Sequence, residues 1–168
     1  MSRIARWLLT LSVALIALFA TFGSAAAAPR AADPTPPNNA RLERAYKAEQ
    51  ENLRAMEHRF QQARTRADEV AKLIARFKEH SVDTAPLERA LAAFRGRIAE
   101  AHHQWEAARD VLAAHAGFDG QGHVTDAGQA GATVLKAHTQ LARARTTIET
   151  ATRQLHAAVE AFLRAHRP

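Results

Sequence analysis

Apolar residues recur along three stretches of this chain at alternating steps of four and three residues. The first stretch runs from Leu42 to Phe77, the second from Leu87 to His115, and the third from Ala130 to Phe162. A spacing of this kind, held over many turns, is typical of long helices that pack through a coiled-coil-like seam. The pattern therefore predicts three amphipathic helices, at about 39–80, 84–116 and 126–166.

The breaks between these stretches predict how the helices are connected. Only His80–Asp83 separates the first two, and a connection this short places two helices side by side in opposite directions. The segment GFDGQGHVT, read as a tight glycine-containing connector, separates the second from the third. The expected fold class is all-α, an elongated antiparallel up-down-up three-helix bundle over residues 39–167. A helical hairpin that dimerises through its third helix is the alternative topology.

The two turns also suggest a register for the packed helices. Phe77 lies level with Leu87 if the first turn is tight, and Leu112 lies level with Ala130 if the second connection simply reverses the chain. In this register large side chains on one helix face small ones on another, as a dense core requires.

Two groups of contacts follow from that register. Trp105 of the second helix is expected to lie beside Phe60 of the first and Ala137 of the third. Tyr46 overhangs the end of the bundle, where it is expected to cover Phe118 and Val124 of the second connection.

Glu49 and His115 are polar residues at positions where the seams are otherwise apolar. The register places the two at the same level, with Ala127 as the third member of the layer. We therefore predict a Glu49–His115 contact, a polar core pair. In the alternative, the layer lies near the end of the bundle and both side chains reach water.

The first 38 residues have the features of a targeting segment followed by a linker. Arg3 and Arg6 precede an apolar run over residues 7–22, and Ala25-Ala26-Ala27 fits a cleavage site. These features predict a signal peptide at 1–27, then a proline-rich linker at 28–38. The alternative is an N-terminal helix that stays uncleaved and anchors the chain in a membrane. Since the chain has no cysteine, disulfides contribute nothing to its stability.

Charge and motif content narrow the function classes. The chain has 23 basic and 17 acidic residues, a formal net charge of +6, but both signs are interleaved along the helices. We find no aromatic stacking platform and no nucleic-acid-binding motif, so we expect no nucleic-acid partner. The sequence also shows no nucleophile elbow, catalytic triad, phosphate loop or dinucleotide fingerprint, so we expect neither an enzyme nor a bound cofactor.

Nine histidines raise the question of a metal site. A di-iron bundle needs two Glu-x-x-His motifs and further glutamates, all facing the core. The chain has one such motif, Glu100 with His103, and Glu106 follows one turn later. Because all three residues lie off the seam of the second helix, we expect no structural metal site. They are the candidate ligands if a metal binds.

The segments DTAPLERALAAF and HAGFDGQGHVTD resemble parts of exported bacterial helical proteins that have no assigned activity. The resemblance implies export and a helical fold, and it transfers no functional residue. The expected function is a non-enzymatic extracytoplasmic interaction or structural module of the cell envelope, periplasmic or extracellular. Its expected partner is an envelope protein or an anionic polymer that contacts the arginine-rich faces of the first and third helices. A membrane surface and a second copy of the chain are further partners that the sequence allows.

Two other function classes stay open from the sequence. One is a periplasmic chaperone-like or stress-response binding protein, which would need an exposed apolar surface. The other is a metal-binding protein that uses its histidines.

Overall fold

The computed structural model describes residues 38–166, and over this range the protein is an all-α three-helix bundle. The helices are α1 at Asn38–Glu79, α2 at Ala85–Ala113 and α3 at Ala127–Ala165. The predicted signal peptide and linker residues 28–37 lie outside the described residues. Asn38, predicted as the last linker residue, already belongs to α1.

Contacts between α1 and α2 show that these helices run in opposite directions. The indole N–H of Trp105 donates to the backbone carbonyl of Leu53 at 3.0 Å. Near the other end of α1, the Lys78 ammonium lies 2.8 Å from the Glu88 carboxylate. Later residues of α1 therefore meet earlier residues of α2, as the short turn between them predicts.

Contacts between α1 and α3 show that these helices run in the same direction. Glu49 pairs with His138 at 2.8 Å, and Arg59 lies 3.7 Å from Glu149. Partners on the two helices thus rise together in number. The third helix returns along the first, as an up-down-up connection requires.

The centre of the core is built around Trp105, which is 9% exposed. Its ring meets Phe60 edge to face, with ring centroids 6.1 Å apart. The predicted Trp105–Phe60 contact is therefore confirmed. Alanines from α2 and α3 fill the space around these rings, in a cluster of Met56, Phe60, Ala101, Trp105, Ala108, Leu141, Ala144 and Ile148.

A second apolar cluster lies toward the connection between α2 and α3. Tyr46 stacks on Phe118 with ring centroids 4.1 Å apart, and Val124 packs against the same cluster. The predicted cover over Phe118 and Val124 is thus confirmed. The buried members of the cluster are Tyr46, Leu112, Phe118, Ala130 and Ala137.

The N-terminus of α2 is not capped in the usual way by the side chain of its N-cap residue. Thr84 occupies the capping position but makes no side-chain bond to the first turn. The missing bond is one to a backbone amide, because the Thr84 hydroxyl donates to the Glu88 side chain at 2.6 Å. Asp83 accepts the Ala85 amide at 3.0 Å. Hydrogen bonds from Lys78 and Thr84 lower the pKa of the Glu88 carboxyl, because both favour its charged form.

The chain divides into two compact units, and residues 161–166 belong to a different unit from residues 38–160. Within that last turn, the His166 ring lies 4.3 Å from the Phe162 ring, and its Nδ1 donates to the Phe162 carbonyl at 2.8 Å.

Candidate functional site

Polar contacts between distant parts of the chain gather at the end of the bundle that carries the α2–α3 connection. We call this region the loop end. It begins at the Phe60–Trp105 layer and comprises residues 38–58 of α1, 102–113 of α2, the connecting segment 114–126 and residues 127–142 of α3.

Two residues with positive φ reverse the chain after α2. The helix ends at Ala113, three residues before the predicted end at Ala116. His115 takes φ 51° and Gly117 takes φ 84°, so the left-handed turn begins earlier than the glycine position suggests. A Cβ atom on Gly117 would lie 2.1 Å from the backbone nitrogen of Ala130. Glycine at 117 therefore permits a close approach of α3.

Asp119 organises the connecting segment. Its carboxylate accepts the backbone amides of Gln121 at 2.9 Å and His123 at 2.8 Å. These bonds, above all the one from His123, lower the pKa of the Asp119 carboxyl because they favour its charged form. A backbone bridge between Phe118 and Val124 closes the segment. The structure shows the tight connector that the sequence predicts.

The Tyr46 hydroxyl joins α1 to the end of α2. It donates to the Leu112 carbonyl at 2.9 Å and lies 2.6 Å from Nδ1 of His115. A hydroxyl has one proton and a carbonyl can only accept, so Nδ1 of His115 must carry a hydrogen and donate to the Tyr46 oxygen. Burial raises the pKa of Tyr46, because it disfavours the phenolate.

Glu49 is a buried carboxylate, 7% exposed, on the face of α1 toward α3. Its Oε1 accepts a hydrogen bond from Nδ1 of His138 at 2.8 Å. Its Oε2 accepts one from the Asn52 side chain at 3.2 Å. Both carboxylate oxygens thus have a donor, which offsets the cost of burying a charged group.

Glu43 makes a similar connection one and a half turns earlier on α1. Its Oε1 accepts the backbone amide of Val124 at 3.1 Å. The same oxygen lies 3.6 Å from Nδ1 of His123. The connecting segment is therefore attached to α1 through both its backbone and a histidine.

The predicted polar core pair, Glu49 with His115, needs correction. Glu49 contacts His138, and the exposed His115 contacts Tyr46. The residue of α3 that meets Glu49 lies eleven positions beyond Ala127, the predicted partner at that level.

His115 does not meet Glu49 because α2 ends at Ala113, so His115 lies at φ 51° in the turn that follows and not on the seam of the helix. The path of the chain between α2 and α3 explains why Ala127 is not the third member. The Thr133 hydroxyl donates to the Ala116 carbonyl at 2.8 Å, and Ala130 packs on Gly117. The first turns of α3 therefore lie beside the segment that follows α2. In the predicted register, Leu112 would have faced Ala130 directly.

The candidate metal ligands Glu100, His103 and Glu106 are only partly brought together. Nδ1 of His103 lies 3.3 Å from Glu106, and Nδ1 of His102 lies 3.5 Å from the same carboxylate. Glu100 pairs with Arg97 at 2.9 Å. Within residues 38–166, no group of three or more histidine or acidic side chains is arranged to hold a metal ion.

The sequence pattern does not single out Glu43, His123 or His138, although all three connect distant segments. A weak signal exists for two of them. Glu43 follows the apolar Leu42, and His138 follows Ala137, so each sits at the edge of a predicted seam. Only a correct register could have paired them with their partners.

No protein-family model matches this chain, and no curated protein and no solved structure matches it either. None of the helices within residues 38–166 is long and apolar enough to cross a membrane.

Proposed function

We propose that the protein is a non-enzymatic, extracytoplasmic interaction or structural module of the cell envelope. The observation that supports this most is how the helices use their faces. Within residues 38–166 the apolar faces of the helices pack against one another in the core, and the exposed side chains are mostly charged or polar. Such a surface suits recognition of a charged partner.

The arginine-rich faces of α1 and α3 are the proposed contact surface. Their exposed basic residues include Arg41, Arg44, Lys47, Arg54, Lys136, Arg143 and Arg153. An anionic polymer or an acidic face of an envelope protein would complement them. In this proposal residues 1–27 direct export and the proline-rich linker is a spacer. The bundle is an elongated up-down-up scaffold with coiled-coil-like seams.

The chaperone-like alternative has less support. A binder of unfolded chains needs exposed apolar surface. Among residues 38–166, the large hydrophobic side chain that is strongly exposed is Leu135, at 67%. One such side chain is too little to hold an unfolded segment, so we favour the interaction module.

Cell fractionation combined with site-specific cross-linking tests the proposal. The tagged full chain is expressed in its host with p-benzoylphenylalanine in place of Arg44 on α1 or Arg143 on α3. The matched control carries it in place of Ala99, an exposed position on α2. We expect the protein in the extracytoplasmic fraction, with specific adducts from positions 44 and 143 and none from 99. Retention in the cytoplasm, or equal adducts from all three positions, would refute the proposal.

A further inference from the structure

The histidines are unevenly distributed along the bundle. Six of the nine lie at the loop end: His58, His102, His103, His115, His123 and His138. Five of these are exposed, and His102 is half-buried. Side chains of this type change charge between about pH 5 and pH 8.

Because of this distribution, the net charge of the loop end changes sign when its histidines are protonated. Besides its six histidines it has six basic and eight acidic side chains, so its formal charge is −2 with neutral histidines and +4 with all six protonated. The remaining described residues, 59–101 and 143–166, have 13 basic and eight acidic side chains and three histidines. That part is positive at +5 and becomes only more positive, to +8. Only the loop end changes from repelling to attracting an anionic surface.

The carboxylates that face these histidines are known from the structure. Glu106 faces His102 and His103, and Glu49 faces His138. His123 faces Glu43, and the Asp119 carboxylate accepts the His123 backbone amide. His115 faces the Tyr46 hydroxyl. When the histidines are charged, they compensate these carboxylates locally, and only four acidic residues remain to offset the six lysines and arginines of the loop end.

The basic side chains that then dominate are on α1 and α3. All are exposed: Arg41, Arg44, Lys47, Arg54 and Lys136. The acidic residues of the loop end that do not face a histidine are Glu51, Glu57, Asp110 and Asp126; Arg109 pairs with Asp110 at 3.2 Å.

Leu135 distinguishes a lipid surface from a dissolved polyanion. It is 67% exposed on α3 and directly precedes Lys136 in the chain. An exposed apolar side chain next to a lysine in the chain suits the boundary between headgroups and acyl chains, whereas a polyanion in solution offers nothing for it to insert into.

We propose that the loop end is an acid-activated contact for an anionic phospholipid surface. The inference rests on the proposed function, because it identifies the partner class of the interaction module. The contact forms when the histidines protonate and is lost when they become neutral. It is peripheral, through charge and a single apolar side chain.

Vesicle co-sedimentation of the full chain tests this inference. Vesicles of phosphatidylglycerol with phosphatidylcholine are compared with vesicles of phosphatidylcholine alone, at about pH 5.5 and about pH 8. We expect binding to the anionic vesicles to be at least about tenfold tighter at the lower pH, to weaken with salt, and to be absent on neutral vesicles.

The variants locate the effect. The triple variant His103→Gln, His123→Gln, His138→Gln should weaken the pH dependence, because the fully protonated loop end then reaches only +1 instead of +4. The control His80→Gln, His156→Gln should keep the full pH dependence. Circular dichroism checks folding, and the double variant His103→Gln, His123→Gln serves if the change at His138 destabilises the bundle. Leu135→Ser should weaken vesicle binding, whereas binding to free polyphosphate should not respond to it.

Four outcomes would overturn the inference: equal affinity at both pH values, a pH dependence as large in the triple variant as in the parent, tighter binding to polyphosphate than to vesicles, or no vesicle binding at either pH. The proposed function is judged separately. It fails if the fractionation finds the chain in the cytoplasm, whatever the vesicles show.

Discussion

Replacing Tyr46 with phenylalanine removes one oxygen atom and keeps the ring that stacks on Phe118. The hydroxyl is a donor to the Leu112 carbonyl at 2.9 Å and lies 2.6 Å from Nδ1 of His115. Because Tyr46 is 3% exposed, water cannot easily take the place of its hydroxyl. The substitution therefore tests how strongly this group holds α1 to the end of α2.

The expected loss follows from the two partners. The Leu112 carbonyl sits against a buried side chain, and leaving such a group without its partner costs about 1–2 kcal/mol. His115 is exposed and can turn to water, so its bond contributes about 0.5 kcal/mol. We expect Tyr46→Phe to lower the free energy of unfolding by about 2 kcal/mol.

Urea unfolding followed by circular dichroism measures this loss, and a double-mutant cycle divides it. His115→Gly keeps the positive φ but removes the imidazole. The coupling energy between the two substitutions measures the contribution of the Tyr46–His115 hydrogen bond. The remainder of the Tyr46→Phe loss measures the cost of leaving the Leu112 carbonyl without its donor. A loss below about 0.5 kcal/mol for Tyr46→Phe would refute the reasoning, because the carbonyl would then have found another donor.

A pH titration checks the environment of the same residue. Tyr46 is the only tyrosine in the chain, so its ionisation can be followed by ultraviolet absorbance alone. Burial raises its pKa above the ordinary value of 10.0. The stability that depends on the neutral phenol is thus fully present below pH 10 and is lost as pH rises through the folded-state pKa. An ordinary titration midpoint would contradict the burial of the hydroxyl.

Three further predictions concern other parts of the fold. Gly117→Ala should lower the free energy of unfolding in urea by about 2 kcal/mol or more, because it adds a Cβ at positive φ against α3. The control Gly96→Ala, whose Cβ would meet nothing within 4 Å, should raise it by about 1 kcal/mol. Equal effects of the two substitutions would refute the close approach at Gly117. The amide shifts of the connecting segment should move as pH falls through the lowered pKa of Asp119, since its bonds are present above the ordinary 3.8 and lost on protonation; in Asp119→Asn this acid step should be absent. Trp105→Phe should cost about 2 kcal/mol in urea unfolding, through lost volume and the bond to the Leu53 carbonyl; an unchanged midpoint would mean that the core relaxes around the smaller ring.

The sequence was sufficient for the arrangement of α1 and α2, and the reason is the short turn between them. Because only residues 80–84 connect the two helices, they can slide little relative to each other. The spacing of the seam residues then determines which side chains meet. The Trp105–Phe60 contact follows from these two constraints alone. So does the position of Tyr46 over Phe118.

The position of α3 could not be obtained in the same way. Its seam has an alanine at every seventh position, from Ala130 through Ala137 and Ala144 to Ala151. Sliding the helix by seven residues places the same small side chain opposite the same neighbours, so packing alone hardly distinguishes the registers. The connection of residues 114–126 is long enough to accommodate more than one of them. The predicted third member of the Glu49 layer, Ala127, was wrong for this reason. The Glu49–His115 pair failed for another, because α2 ends at Ala113 and His115 lies in the turn that follows it.

The register of α3 is decided by contacts at the loop end. Gly117 admits Ala130 at a distance that no other residue would allow. In this register His138 donates to Glu49. A shift of α3 by seven residues would remove this donor and leave the Glu49 carboxylate buried without it. Buried polar groups can act in this way because a wrong alignment leaves them without partners, whereas a wrong alignment of alanines costs little. Glu49 and His138, which align α3, also contribute to the variable charge of the loop end. Mutating either residue should therefore change both the register of α3 and the charge of the loop end.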